Sequence, residues 1–227
     1  MSEKLRNVPR VKEKKTAKVF LPEEEYAVRY EHPDLLDFIN DHGIKLENQG
    51  NYSDAETLLR HVLEVRGITL GNDHPDFADS LHNLGIVLGN SGKYEEAEAL
   101  FRQSLEIQLK LHGEVHRDVA SSLNNLGIVL FNQGRNIEAE TFYRRALELW
   151  KMTVGNDHVD YACSLNELAW FLYNQKRFAD AEPFARESLQ VFEKSGQRDS
   201  DDYFQAQDTL EQIIQAQTRL LKAKITN

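Results

Sequence analysis

Apolar side chains in the second quarter of the chain recur at the spacing of amphipathic helices. Leu81, Leu84 and Leu88 are three and four residues apart, and a short polar turn around Gly92 then interrupts the pattern. A second apolar series with helical spacing follows over residues 97–109. Because residues three, four and seven apart share one side of a helix, the pattern predicts two helices that each bury one side.

The same pair of helices is predicted four times along the chain. Gly71, Gly113 and Gly155 are expected to end the second helix of the first three pairs, because glycine readily adopts the positive φ that often follows a helix. The first helices are predicted at 34–48, 75–90, 117–132 and 159–174, the second helices at 53–69, 94–111, 136–153 and 178–194, and a polar terminal helix at about 201–223.

Five sets of residues recur every 42 residues in one common register, which predicts tandem repeats. The sets are His32, His74, His116 and His158; Asp34, Asp76, Asp118 and Asp160; Asn48, Asn90, Asn132 and Asn174; Gly50, Gly92 and Gly134, with Lys176 in the fourth place; and Ala55, Ala97, Ala139 and Ala181. We therefore predict repeats at 32–73, 74–115, 116–157 and 158–199. A basic, largely flexible tail or linker is expected at 1–31 and a C-terminal capping helix at 200–227.

Neither helix of such a pair can bury its apolar side alone, so neighbouring pairs must stack. Ala139 and its equivalents are expected where two helices approach closely. In the terminal helix, Gln207 and Glu211 stand 42 residues after Leu165 and Ala169, as expected of a solvent-facing cap. The predicted fold is all-α, a right-handed α-solenoid of helical hairpins with a C-terminal capping helix.

Charge and composition narrow the possible partners. The chain has a net charge of −10, although residues 1–18 are basic. An acidic body disfavours nucleic acid as the main partner, because phosphate binding requires a basic surface. No apolar stretch approaches the roughly 20 residues that span a bilayer, and the single cysteine, Cys163, cannot form an internal disulfide. A cytoplasmic protein that does not bind membranes is therefore predicted.

No arrangement of residues predicts catalysis, a cofactor or a metal. The sequence has no glycine-rich phosphate loop, no His-Glu-x-x-His motif and no nucleophile elbow. The histidines in register cannot share an ion, because equivalent helices in a stack lie about 8–10 Å apart, whereas zinc needs each nitrogen within about 2.1 Å. A non-catalytic protein is expected, with Cys163 as an inert thiol.

The first helices of stacked hairpins line a concave surface, which is where such arrays normally bind. Counting from the apolar positions places Asn40, Asp41, Glu47 and Asn48 on this surface in the first repeat, and His82, Ile86, Asn124 and Glu167 in later ones. The residues predicted to form a peptide-binding groove are Asn83, Asn90, Asn125, Ile128, Phe131, Asn132, Asn166, Trp170, Tyr173 and Asn174.

The repeated asparagines need an explanation, because Asn is a poor residue inside a helix. Its amide both donates and accepts hydrogen bonds, as the backbone of an extended peptide does. Alternatively, the asparagines cap or bridge helix ends. A cluster of Phe131, Trp170 and Tyr173 is expected to receive an apolar anchor. The predicted groove positions include acidic residues but no Lys or Arg, which favours a neutral or basic ligand.

The third repeat resembles a known family. It opens with His116-Arg117-Asp118-Val119-Ala120, continues through Asn132-Gln133-Gly134-Arg135 at the turn, and carries Glu138-Ala139-Glu140-Thr141 in its second helix. These residues resemble the 42-residue tetratricopeptide repeats of kinesin light chains, and the resemblance covers about 32–199. It implies an α-solenoid that serves as a protein-binding adaptor or scaffold. Kinesin light chains use Lys and Arg to hold acidic peptides, whereas the groove positions predicted here hold neither.

The sequence therefore predicts a non-catalytic interaction module that binds an extended peptide or a partner protein in its concave groove. The alternative is an assembly scaffold that associates with itself through its convex or end surfaces. The oligomeric state and the identity of the ligand are left open.

Overall fold

A computed structural model describes residues 33–226 of the chain, and side chains over 35–223. This range contains nine α-helices and no strand. The prediction of a flexible tail at 1–31, and His32 with it, lies outside the described residues. The helices are α1 (Pro33–Asn48), α2 (Tyr52–Thr69), α3 (Pro75–Asn90), α4 (Tyr94–His112), α5 (Arg117–Asn132), α6 (Asn136–Thr153), α7 (Val159–Asn174), α8 (Phe178–Lys194) and α9 (Asp201–Thr226).

These bounds confirm the predicted helices to within one residue at most ends and three at the end of α9. The chain forms an all-α solenoid in which each helix packs on its neighbours in sequence. Among the first helices, α1 also contacts α3 directly and α3 contacts α5, as α7 contacts α9. We call the surface formed by α1, α3, α5, α7 and α9 the inner face.

A histidine begins three of the first helices. His74, His116 and His158 precede α3, α5 and α7, and the Nδ1 of each accepts the backbone N–H of the residue two positions later at 3.2–3.3 Å. The ring nitrogen therefore replaces the oxygen that Ser, Thr, Asp or Asn supplies at most helix starts. An Asp in the first turn complements the positive end of each helix. This contact explains the recurrence of histidine every 42 residues.

The core runs between the first and second helices of each repeat. The four alanines that recur every 42 residues are completely buried, as predicted, where the two helices of a pair cross. Leucines on the facing first helices are equally buried, which closes the core at these crossings. They are Ala55, Ala97, Ala139 and Ala181, with Leu84, Leu126 and Leu168.

A ladder of ion pairs joins successive second helices on the opposite surface. Arg135, at the start of α6, donates from Nη1 to both carboxylate oxygens of Glu98 on α4, at 2.7 and 2.9 Å. Glu98 also pairs with Arg102 on its own helix. The sequence analysis did not predict this ladder. Equivalent contacts join Lys93 to Glu56 and Arg177 to Glu140.

The terminal helix α9 covers the apolar side of the fourth repeat. Gln207 and Glu211 are exposed, as expected of a cap. Phe204 and Ile214 are also exposed, by 53% and 38%, although the positions 42 residues earlier are completely buried. The cap is therefore only partly polar. None of the described helices is long and apolar enough to cross a membrane.

Candidate functional site

Polar side chains on the first helices form hydrogen bonds that connect neighbouring repeats across the inner face. Asn83 Nδ2 donates to Asn40 Oδ1 at 3.2 Å, and the next repeat places Asn125 Nδ2 3.1 Å from His82 Nε2. Both bonds join residues 43 positions apart. Asn83 and Asn125 therefore bridge repeats, which agrees in part with the structural alternative for the asparagines.

His82 is the centre of the most extensive of these polar contacts. Its Nδ1 lies 3.3 Å from Ser122 Oγ, which donates to Gln108 Oε1 at 2.8 Å. Because Asn125 donates to Nε2, these bonds are satisfied by a neutral ring with its proton on Nδ1. Burial lowers the pKa of His82 to about 4. This side chain therefore holds the second and third repeats together and is less available to a ligand than the sequence predicted.

The asparagines near the ends of the first helices are exposed. Asn132 and Asn174 each donate one hydrogen bond at 2.8 Å to the carbonyl four residues earlier, and Asn48 does the same at 3.0 Å. Asn90 instead donates to Glu47 Oε1 at 2.7 Å in the preceding repeat. An amide has two N–H donors and an acceptor oxygen, so one such bond leaves capacity for a ligand.

Two clefts open on the inner face. The cleft between α3 and α5 has a volume of about 280 Å³ and brings together four predicted groove residues, Asn90, Asn125, Ile128 and Asn132, with Ile86 beside them. We call it the amide cleft. The cleft between α7 and α9, of about 310 Å³, is lined by Asn166, Glu167 and Trp170 with polar residues of α9. We call it the acidic cleft.

The three predicted aromatic residues divide into two groups. Trp170 and Tyr173 stack on each other with ring centroids 5.4 Å apart, and Trp170 is 38% exposed. Phe131 packs edge-on against the buried ring of Phe171 at 5.6 Å, so it belongs partly to the seam between the third and fourth repeats. Phe131, Tyr173, Asn174 and Asn83 line neither cleft.

Comparison with known proteins identifies the repeats. A family profile described as Tetratricopeptide repeat matches residues 40–110 and 118–194, and a second profile with the same description matches 83–151. The chain belongs to the tetratricopeptide repeat family. No curated protein matches the chain significantly.

Solved structures share the fold of this tetratricopeptide repeat protein at low sequence identity. A Podosopora anserina protein described as a candidate kinesin light chain with nearly identical TPR-like repeats is 22% identical, with a TM-score of 0.69 over 85% of this chain and 91% of that one. BtubC (BKLC) from P. vanneervenii is 18% identical, with a TM-score of 0.62 and 87% of each chain covered. The apo form of RapI is 15% identical, with a TM-score of 0.63 and coverages of 88% and 89%. The predicted resemblance to kinesin-light-chain repeats is confirmed for the fold.

Glu167, which the sequence predicted on the groove, lies in surroundings that disfavour its charged form. Burial, followed by the nearby charge of Asp202 on α9, raises the pKa of Glu167 to about 7. Its equivalents one and two repeats earlier are the neutral amides Asn125 and Asn83. A carboxyl group thus stands where the preceding repeats have an amide.

Cys163 lies half-buried on α7. Burial, followed by the nearby charges of Asp202 and Asp160, raises the pKa of its thiol to about 12. Because the thiolate is the reactive form, the thiol has little reactivity near neutral pH. This agrees with the inert role expected from the sequence.

One group of side chains in the described part of the chain could approach a metal ion, and the sequence analysis did not consider it. His112, His116 and Asp118 place one ligand atom each within 4.8 Å of one another. The two rings are stacked, with centroids 4.1 Å apart and planes at 17°. His116 Nδ1 also accepts the N–H of Asp118. Parallel rings cannot both point at one ion, so coordination would require the rings to rotate.

Proposed function

We propose that this tetratricopeptide repeat protein binds an extended peptide, or an extended segment of a partner protein, along its inner face. The observation that carries the proposal is the amide cleft, where Asn90, Asn125 and Asn132 surround the apolar side chains of Ile86 and Ile128. Amides pair with the N–H and C=O groups of a peptide backbone, and the isoleucines offer an apolar surface to its side chains. Such a protein is an adaptor, and we expect it in the cytoplasm.

The aromatic pair is expected to supply the strongest anchor. Trp170 is the only tryptophan on the inner face within the described residues, and Tyr173 stacks against it. Large exposed aromatic residues carry much of the binding energy of protein interfaces. A ligand that covers the indole would bury apolar area without a large change in the solenoid.

A selection from a random peptide library displayed on phage tests the proposal. Peptides enriched on the purified chain are synthesised, and their Kd is measured by calorimetry for the wild type, Trp170→Ala, and Ile137→Ala as a control. Ile137 is 87% exposed and lies on α6, the second helix of the third repeat, away from the inner face. Trp170→Ala should weaken binding by about 2 kcal/mol or more, whereas Ile137→Ala should not.

The stability of the variants separates a binding role from a packing role. If Trp170→Ala lowers the midpoint of urea unfolding and leaves Kd unchanged, Trp170 packs the fourth repeat and is not an anchor. If the library yields no enriched peptide, peptide binding on the inner face is wrong.

A self-associating scaffold is the second candidate function. Phe204, Ile214, Leu220 and Leu221 are exposed on α9 by 38–61%, so the end of the solenoid presents apolar side chains. Exposed apolar patches often mark interfaces. Light scattering during gel filtration should give a dimer or a larger assembly if this candidate is right, and Leu220→Glu together with Leu221→Glu should then restore the monomer.

A further inference from the structure

The acidic cleft lies at the C-terminal end of the inner face, about one helical turn nearer the helix starts than the amide cleft. Asn166, Glu167 and Trp170 share one side of α7, because they are separated by one, three and four residues. Gln205, Asp208 and Gln212 line the opposite wall from α9. The described residues that line this cleft include two carboxyl groups and neither Lys nor Arg.

Two acceptor groups of this cleft, on Asn166 and Glu167, receive no hydrogen bond from the described residues. The Oδ1 atom of Asn166 is buried and has no hydrogen-bond partner. No hydrogen bond from the described residues contributes to the pKa of Glu167, which is instead raised by burial and by Asp202. A buried acceptor or carboxyl group without a donor is costly. A ligand that brings N–H donors and a positive charge would remove both costs.

This lack of donors begins at the junction between the third and fourth repeats. Asn83 and Asn125 each donate to the residue 43 positions earlier. For Glu167 that residue is Asn124, whose Oδ1 is also buried without a partner. The change from amide to carboxyl at position 167 removes a donor from the row and adds an acceptor.

Trp170 completes the cleft with an aromatic surface. Its indole is partly exposed and stacks on Tyr173. The aliphatic stem of a long basic side chain packs well on such a ring, and its charge is attracted to the ring face. Asp208 accepts a hydrogen bond from Gln212 at 2.9 Å, which orients its carboxylate on the facing wall.

We propose that the acidic cleft binds the lysine or arginine side chain of a protein ligand, between Glu167, Asp208 and Trp170. This inference rests on the proposed peptide binding at the inner face. The amide cleft lies two repeats away, or roughly 20 Å at 8–10 Å per repeat. An extended chain advances about 3.3 Å per residue. The ligand should therefore carry its basic residue about six positions from the residue that occupies the amide cleft.

The test compares phage-display selections on the wild type, on Glu167→Gln and on Glu95→Gln. Glu95 is exposed in the first turn of α4, so the control makes the same charge change outside the inner face. Peptides enriched on the wild type and on Glu95→Gln should share a Lys or Arg at one position, and those enriched on Glu167→Gln should lose this preference.

Affinities then check the contact directly. Glu167→Gln and replacement of the basic residue of the peptide by Met should each weaken binding about tenfold or more, and the two changes together should weaken it little further. If enriched peptides show no basic preference, or if their affinity is unaffected by Glu167→Gln, the inference is overturned while peptide binding stands. If no peptide is enriched on any of the three proteins, the proposed function fails and the inference fails with it.

Discussion

Gly127 on α5 lies so close to Tyr143 on α6 that a Cβ atom added to the glycine would be 3.0 Å from the tyrosine ring. The same relationship joins Gly85 to Phe101, where the distance would be 2.8 Å. In the fourth repeat the equivalent positions hold Ala169 and Ala185. A small residue on the first helix thus permits a large one on the second, and the fourth repeat uses two small ones.

Gly85→Ala should destabilise the protein by about 1–2 kcal/mol. The new methyl group would press on Phe101, and overpacking of this kind costs about 1–3 kcal/mol, which exceeds the gain of up to about 1 kcal/mol in helix propensity. Gly89→Ala in the same helix is the matched control, since its Cβ would lie 3.7 Å from Val129 in ordinary contact. It should stabilise by up to about 1 kcal/mol. Urea unfolding measures the stability of both variants. Equal effects would show that Gly85 is not in close contact with Phe101.

Lys176→Gly should stabilise the fourth repeat. Lys176 has φ 60°, and its equivalent in the third repeat is Gly134 with φ 78°. The left-handed conformation costs a non-glycine residue roughly 1–2 kcal/mol, partly offset by the greater freedom of glycine in the unfolded chain. A net gain of about 0.5–1 kcal/mol is expected in thermal or urea unfolding. The reverse substitution, Gly134→Lys, should cost a similar amount, and a neutral result for both would show that this turn tolerates either residue.

Glu167→Gln should stabilise the protein at neutral and higher pH. The pKa of Glu167 is raised in the folded state to about 7 from 4.5. The protonated carboxyl therefore favours the folded state below pH 4.5, and this contribution is lost as pH rises through about 7. Between pH 4.5 and about 7, the free energy of unfolding of the variant should rise relative to that of the wild type by up to about 1.4 kcal/mol per pH unit. Below pH 4.5 the two proteins should not diverge. Glu95→Gln is the control in urea unfolding at pH 5 and 8.

His82→Asn should change the pH dependence of the free energy of unfolding in the direction opposite to that of Glu167→Gln. Burial lowers the pKa of His82 from 6.5 to about 4, so its contribution to stability is present above pH 6.5 and is lost as pH falls toward 4. The difference in unfolding free energy between wild type and variant should therefore shrink between pH 6.5 and 4. If the difference is constant over that range, His82 is not buried as a neutral ring.

The sequence predicted the helices and the buried alanines because both follow from a period that is visible along the chain. The close approach at Gly85 and Gly127 also recurs every 42 residues. It was missed because the sequence does not show which large side chain faces each glycine.

The inner face was less predictable for a related reason. His82 is partly covered by Ser122 and Asn125, which lie 40 and 43 positions later. A side chain placed on the correct face of its own helix can therefore still be covered by the next repeat. Likewise, the ring of Phe131 packs against Phe171 at the seam between the third and fourth repeats. Both outcomes depend on how repeats stack, which the pattern within one repeat does not specify.

The contact between Glu98 and Arg135 has a consequence for how such an array can grow. Each inner repeat carries a glutamate for the basic residue that follows and a basic residue for the glutamate that precedes it. A duplicated copy of residues 116–157 would meet matching charges at both of its junctions. On the surface formed by the second helices, the repeats are therefore interchangeable units. The solenoid can lengthen by gene duplication without evolving new ion pairs there, while the inner face diverges from one repeat to the next.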